Sequence, residues 1–313
     1  MMTQQTKQPL ITILGPTASG KTRLAVAMAR QFHGEIISAD SRQVYQYMDI
    51  GTGKDLEEYG DIPYHLIDVI HPDNEYNLFN FARDFGDAFK HITARRQLPF
   101  LVGGTGMYLD AVLSRYNLTI ANIDENTRQD LEKKSIDALV DILRDLKPAL
   151  HNTTDTQDKA RLIKAIEIAI SERQEKHKEN EQATLAWPSF EPLILGIRVE
   201  RELLKKRIKS RLMSRLEAGM IDEVEQLVRK GVSFERLQNF GLEYRYISLY
   251  LNKQLNFNDM LQKLNSEIVR FSKQQEKWFR NIEKKQHQIK WLDANDHLTE
   301  NANSAIQQFL EGK

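Results

Sequence analysis

Cysteine is absent from all 313 residues. That single absence excludes disulfides, thiolate zinc sites and cysteine nucleophiles, and it fits a reducing compartment. Long apolar runs are also missing. With no stretch of about 18 apolar residues, no membrane span is expected. Residues 1–10 are polar, with one lysine at Lys7, and lack the apolar core of a secretory signal. They read as an unstructured tail before the first strand, and a cytoplasmic location is the resulting expectation. The eight histidines are scattered. His65 and His71 have no ligand spacing with another acid, so no zinc site is expected. No internal repeat occurs.

Net charge is absent too, with 44 Lys+Arg against 44 Asp+Glu. This speaks against a uniformly basic nucleic-acid binder, but the balance is uneven. Residues 1–150 hold 16 basic and 20 acidic side chains, and residues 151–313 hold 28 and 24. The excess is concentrated at Arg198, Arg201, Lys205, Lys206, Arg207, Lys209, Arg211 and Arg215, against only Glu200 and Glu202. Such a stripe either tracks a phosphate backbone or is the solvated face of a long helix.

What is present begins with an apolar run at 10–14 that ends in glycine and reads as a buried strand. A helix is predicted at 22–31. Further strands are predicted at 35–38, 64–70, 98–102 and 193–199, and Phe81, Phe85, Phe89 and Ile92 give 78–96 a helical spacing. Strands alternating with helices imply an α/β fold with a parallel sheet and helices on both faces. The interval 113–192 differs. It carries helix-patterned stretches at 137–146 and 159–171. It then runs through 172–182 without an apolar residue, read as an exposed loop or frayed helix. After residue 199 the pattern is almost wholly helical to about 289. The division expected is a core of 1–112 and 193–313 with a helical C-terminal extension, interrupted by a helical insertion at 113–192.

Gly15, Pro16, Thr17, Ala18, Ser19, Gly20, Lys21 and Thr22 match G-x-x-x-x-G-K-[ST] completely, between a predicted strand and a predicted helix. Glycines let several amide N–H groups converge on one anion, and the new helix adds its positive end. Lys21 supplies a full charge, and the Thr22 hydroxyl can ligate Mg²⁺. The segment therefore predicts a P-loop holding a di- or triphosphate, without saying which bond breaks. A hydrolytic NTPase also places an acid at the end of a later strand. The strand at 98–102 ends instead in Gly103, Gly104, Thr105 and Gly106, which weakens the ATPase reading. The strongest acid elsewhere is Asp40, expected at the carboxyl edge of the sheet facing the loop. There it would serve as a base or simply as a turn or N-cap aspartate.

Four segments, GPTASGKT at 15–22, SADSRQVY at 38–45, MDIGTGK at 48–54 and LVGGTGMY at 101–108, strongly resemble the tRNA dimethylallyltransferases (tRNA isopentenyltransferases). The match is close over the first 110 residues and looser through 158–168 and the C-terminal part. The resemblance implies a P-loop NTPase-like fold with an inserted tRNA-binding domain, dimethylallyl diphosphate and Mg²⁺ in the loop, and a monomer. The acceptor it implies is N6 of the adenosine 3′ of the anticodon. It makes Asp40 the general base, Thr105 a shaper of the reaction site, and Arg128 an arginine on the diphosphate. It assigns Asp40, Ser41, Arg42 and Gln43 to the target nucleotide, and Asp158, Arg161 and Leu162 to the anticodon arm. The target base would be flipped out into a channel.

Two segments depart from the family pattern. Leu242-Glu243-Tyr244-Arg245 stands where Ile-Gly-Tyr and a basic residue are usual. Lys273-Gln274-Gln275-Glu276-Lys277-Trp278-Phe279 lacks the arginine and threonine of the corresponding signature; Trp278 and Phe279 read as core residues. Three other readings stay open: prenyl transfer to free adenine nucleotides, a small-molecule P-loop kinase, and a non-catalytic RNA-binding relative.

Overall fold

The computed structural model describes residues 7–118, 125–146, 159–175 and 185–312. Most of the expected N-terminal tail, and the polar run beyond Glu175, lie outside them. The chain divides into two compact units: Met1–Arg115 with Trp187–Lys313, and Tyr116–Ala186. These boundaries fall a few residues inside the 113–192 interval expected from the sequence.

The larger unit opens with β1 (Gln8–Leu14), α1 (Lys21–Gln31), β2 (Gly34–Ala39), β3 (Tyr64–His65), α2 (Leu78–Ala94), β4 (Leu98–Gly103) and α3 (Gly106–Leu113). The second unit holds α4 (Glu125–Glu132), α5 (Ile136–Leu146) and α6 (Lys159–Glu175). The larger unit resumes with β5 (Phe190–Arg198), α7 (Arg201–Glu217), α8 (Met220–Arg229), α9 (Phe234–Leu237), α10 (Leu242–Leu251), α11 (Phe257–Lys284), β6 (Ile289–Asp293) and α12 (Leu298–Glu311).

All six strands pair in parallel in the order β3-β2-β4-β1-β5-β6. Successive side chains of a strand point to opposite faces. Ile11, Ile13, Ile36, Phe100, Val102, Leu195 and Ile197 therefore enter one core, with residues of α1, α7, α8, α10 and α12. Leu10, Leu14, Ile37, Leu101 and Ile194 enter the other, with α2 and α3. Both faces are covered, which is why these strands read as continuous apolar runs. The long helix α11 serves both cores: Met260, Leu264 and Ile268 pack in the first, Phe279 and Ile282 in the second.

One sequence expectation is corrected. The strand expected at 64–70 is only two residues long, because Leu66 and Asp68 take left-handed backbone with φ of 63° and 56° and leave the ladder. It rejoins by one bridge, Tyr45 to Ile70. The helical pattern read to about residue 289 ends with α11 at Lys284, and β6 then closes the edge beside β5.

The second unit packs α4, α5 and α6 around Leu131, Leu139, Leu143, Leu162 and Ile166. Among the described residues no helix is long and apolar enough to cross a membrane.

Candidate active site

Because β4 lies between β1 and β2, the carboxyl edge brings three strand ends together: the loop after β1, Asp40 after β2, and Gly103–Thr105 after β4. Close approach there needs glycine. A Cβ on Gly103 would lie 2.1 Å from the Ala39 carbonyl oxygen, one on Gly104 2.4 Å from Gln275 Nε2, and one on Gly106 2.3 Å from Trp278 Cβ. The run of glycines after β4 is thus room for β2 on one side and α11 on the other.

The loop turns through Ala18 and Gly20, with φ of 61° and 89°, and delivers Lys21 and Thr22 into the first turn of α1. Lys21 Nζ folds back to donate to the Pro16 carbonyl at 3.3 Å. Gln275 of α11 ties this loop down. Its Oε1 accepts from Thr17 N–H at 2.9 Å, and its Nε2 donates to the Gly104 carbonyl at 2.9 Å.

Opposite, Arg42 N–H donates to Asp40 Oδ1 at 2.9 Å, fixing a turn. Thr105 Oγ1 accepts from Ser41 N–H at 3.0 Å, pinning that turn to the end of β4. Asp40 is therefore both a turn aspartate and a cavity carboxylate. Gln43 is nearly buried. It accepts from Ser38 Oγ at 2.8 Å and donates to the Gly53 carbonyl at 3.1 Å.

The segment at 48–54 forms a braced wall. Glu223 of α8 accepts from the backbone N–H of Asp49, Ile50 and Gly51 at 2.7, 2.7 and 3.0 Å, and from Tyr244 Oη–H at 2.7 Å. Lys54, with its side chain fully buried, pairs with Asp49 and Asp68 and donates to the Tyr45 carbonyl at 2.8 Å. Arg211 and Arg215 of α7 reach this wall, Arg211 pairing with Asp55 and Arg215 with Glu243 at 3.8 Å.

Lys21, Thr22, Asp40, Ser41, Arg42, Thr105, Arg211 and Arg215 line one cavity of about 390 Å³, with Gly51, Thr52 and Gly53 of the braced wall. Its electrostatics are those of a cation-rich enclosure. Burial, reinforced by Arg211 and then Arg215, lowers the Lys21 ammonium to about 8. Burial also lowers Arg215, and burial raises Glu243 against the opposing pull of Arg215.

The expected site residues thus separate. Thr17, Lys21, Thr22, Asp40, Ser41, Arg42, Gln43 and Thr105 line the common cavity. Arg128 lies in the second unit on α4, its Nε 3.5 Å from Glu132 and 3.9 Å from Glu167. Arg161 stands in the first turn of α6, and Asp158 lies outside the described residues. Leu162, assigned to RNA contact, has its side chain fully buried with Leu139 and Ile166. Trp278 is corrected in the other direction. It is 38% exposed and lines the cavity, whereas Phe279 is core as expected. Glu223 and Gln275 had no assigned role in the sequence, Glu243 stood out only as a departure from the family pattern, and Arg211 and Arg215 were read as part of a basic stripe and not as lining this cavity. The basic stripe at 198–215 was the one sequence signal that touched the two arginines.

A parallel sheet with a phosphate-loop segment after β1, and an anion-sized cationic cavity beside it, defines a P-loop-like α/β protein. The IPP transferase family model matches residues 43–282, and an isopentenyl transferase model matches residues 8–59. The chain belongs to the IPP transferase family. It is 53% identical to tRNA dimethylallyltransferase 1 of Geotalea uraniireducens, over 91% of this chain and 92% of that one. It is 52% identical to tRNA dimethylallyltransferase 2 of Trichlorobacter lovleyi, over 96% and 97%. Among solved structures, the tRNA isopentenylpyrophosphate transferase of Bacillus halodurans matches with a TM-score of 0.70 at 32% identity, covering 98% and 96% of the two chains. A eukaryotic dimethylallyltransferase acting on tRNA shares the fold, with a TM-score of 0.80 at 24% identity, covering 98% of this chain and 80% of that one.

Proposed function

We propose that the chain transfers a dimethylallyl group from dimethylallyl diphosphate to N6 of the adenosine 3′ of the anticodon in tRNA. The observation that carries this reading is a single cavity holding Lys21, Arg211 and Arg215 together with the Asp40 carboxylate. The relatives' names supply the acceptor class.

In this reading the donor diphosphate lies against Lys21, Arg211 and Arg215, at the N-terminal end of α1. The adenosine amine enters beside Asp40 and Thr105. N6 attacks the allylic carbon, the carbon–oxygen bond breaks, and its electron pair leaves with the diphosphate. Asp40 takes the proton that N6 sheds, a general-base role suited to an amine whose lone pair is delocalised into the ring. The cations stabilise the negative charge gathering on the leaving oxygens. Among the described residues no cluster of three acids, histidines or cysteines forms a metal cage. The Thr22 hydroxyl on the cavity wall fits the other mode, a hydrated Mg²⁺ held mainly by substrate phosphates. Mg²⁺ so bound would neutralise diphosphate charge. The working unit proposed is a monomer, as the family resemblance implies.

The test is transfer of label from radiolabelled dimethylallyl diphosphate to unmodified tRNA or to AMP, with Mg²⁺, for the native protein and Asp40→Ala. Label in tRNA, absent from AMP and reduced at least about a hundredfold in the variant, is the expected result. Label in AMP alone would move the acceptor to free nucleotides. ATP turnover without transfer would sink the prenyl-transfer reading.

A further inference from the structure

Resting on that reading, we infer that Glu243 is a built-in counter-ion of the diphosphate pocket that promotes release of the cleaved diphosphate. Arg211 and Arg215 each pair with a carboxylate, but the two carboxylates are placed differently. Asp55, the partner of Arg211, borders the neighbouring cleft with Glu58 and Arg23 rather than the main cavity. Glu243, the partner of Arg215, lines the main cavity itself. A ligand that engages Arg215 therefore competes with Glu243 directly.

The geometry leaves Glu243 little room to withdraw. It stands in the first turn of α10, directly before Tyr244. Tyr244 is almost wholly buried, and its hydroxyl donates to Glu223 at 2.7 Å. Arg215 is confined from the other side. A Cβ on Gly53 would fall 1.5 Å from its Nη2, so the guanidinium lies against that backbone. The side chains of Arg215 and Glu243 are only 13% and 20% exposed, so solvent screens their charges incompletely.

The consequence follows from charge balance in the reaction. While the diphosphate is esterified to the prenyl group, its bridging oxygen carries no charge. When the carbon–oxygen bond breaks, the electron pair stays on that oxygen, and the leaving group gains one negative charge. A fixed carboxylate in the same cavity repels the product more strongly than the donor. Lys21, Arg211 and Arg215 alone would hold the product most tightly at the moment it must depart. Glu243 offsets that retention and restores a partner to Arg215 as the cavity empties.

The experiment compares inorganic pyrophosphate and inorganic phosphate binding by calorimetry, at pH 7 with Mg²⁺, for the native protein, Glu243→Gln and Glu243→Ala. Glutamine keeps the shape and removes the charge; alanine removes both. Both variants are expected to bind pyrophosphate at least about tenfold more tightly than the native protein. The gain for phosphate should be smaller, because it bears less charge. A merely structural role would weaken both ligands alike. Native and variant proteins binding pyrophosphate equally, or the variants binding it more weakly, would overturn the counter-ion role while leaving the diphosphate reading in place. No pyrophosphate binding by any of the folded proteins would overturn the diphosphate reading itself.

Discussion

Lys21 is charged at neutral pH only by a narrow margin, because burial and two arginines act against its proton and lower its pKa to about 8. The sign follows directly. Below about 8 the free protein carries the ammonium that meets the diphosphate, and above it the neutral amine predominates. The donor's kcat/KM is therefore expected to be level up to about pH 8 and then to fall, approaching tenfold per unit. Lys21→Arg, which stays charged throughout, should lower the plateau but remove the decline. A native profile flat to pH 10 would contradict the role given to this lysine. The residue scale is also where the sequence was most informative. Asp40 was placed at the sheet edge with its role open, Thr105 was picked out by the family resemblance, and Gly20, Lys21 and Thr22 were legible from their spacing between an apolar strand and a helix. Glu243 and Arg215 were not, since their pairing joins α7 to α10 and local spacing carries no trace of it.

Single side chains here govern whole elements. Glu223 collects three backbone N–H groups and a tyrosine hydroxyl, so α8 holds the 48–54 wall through one carboxylate. Glu223→Ala leaves four donors without their acceptor, some of them shielded from water. The expected cost is about 2–4 kcal/mol of folding stability. Urea denaturation monitored by circular dichroism would measure it, and a loss under about 0.5 kcal/mol would show that water replaces the carboxylate. The elements differed in legibility for physical reasons. β1, β4 and β5 are covered on both faces and announced themselves as apolar runs. β6 is a five-residue edge strand with only Leu292 buried, and it follows a long polar helix, so no clear alternation marks it. Gln275 was invisible for a related reason. A glutamine on a polar helix looks solvated until the carbonyl and amide it bridges are known.

At the scale of the molecule the two units have separate cores. Among the described residues neither core of the larger unit contains a side chain from Tyr116–Ala186. The segment also leaves and returns at neighbouring points: Arg115 donates to the Phe190 carbonyl at 2.9 Å, and Trp187 packs on Phe85. Replacing 116–186 by a short Gly/Ser linker is expected to leave a folded, cooperative protein. It should bind pyrophosphate within about threefold of the native affinity, but should not prenylate tRNA. Loss of pyrophosphate binding in a cooperatively melting variant would show that the second unit completes the donor site. This interruption was visible in the sequence as a change from alternating strands to helical periodicity. Its functional residues were less so: Leu162, assigned to RNA contact, has its side chain buried in the core.

The helix α11 is 28 residues long, about 42 Å, and does three things along its length. Its first half packs in one core, its last turns in the other, and Gln275 between them grips the loop after β1. All three are locked to one rotational phase. An added residue between Ile268 and Gln275 would swing everything beyond it by about 100°, taking the amide from the loop and Phe279 and Ile282 from their core together. Changes of side chain along α11 can be absorbed one at a time, but changes of length cannot. Over this stretch the number of residues is held more tightly than their identity.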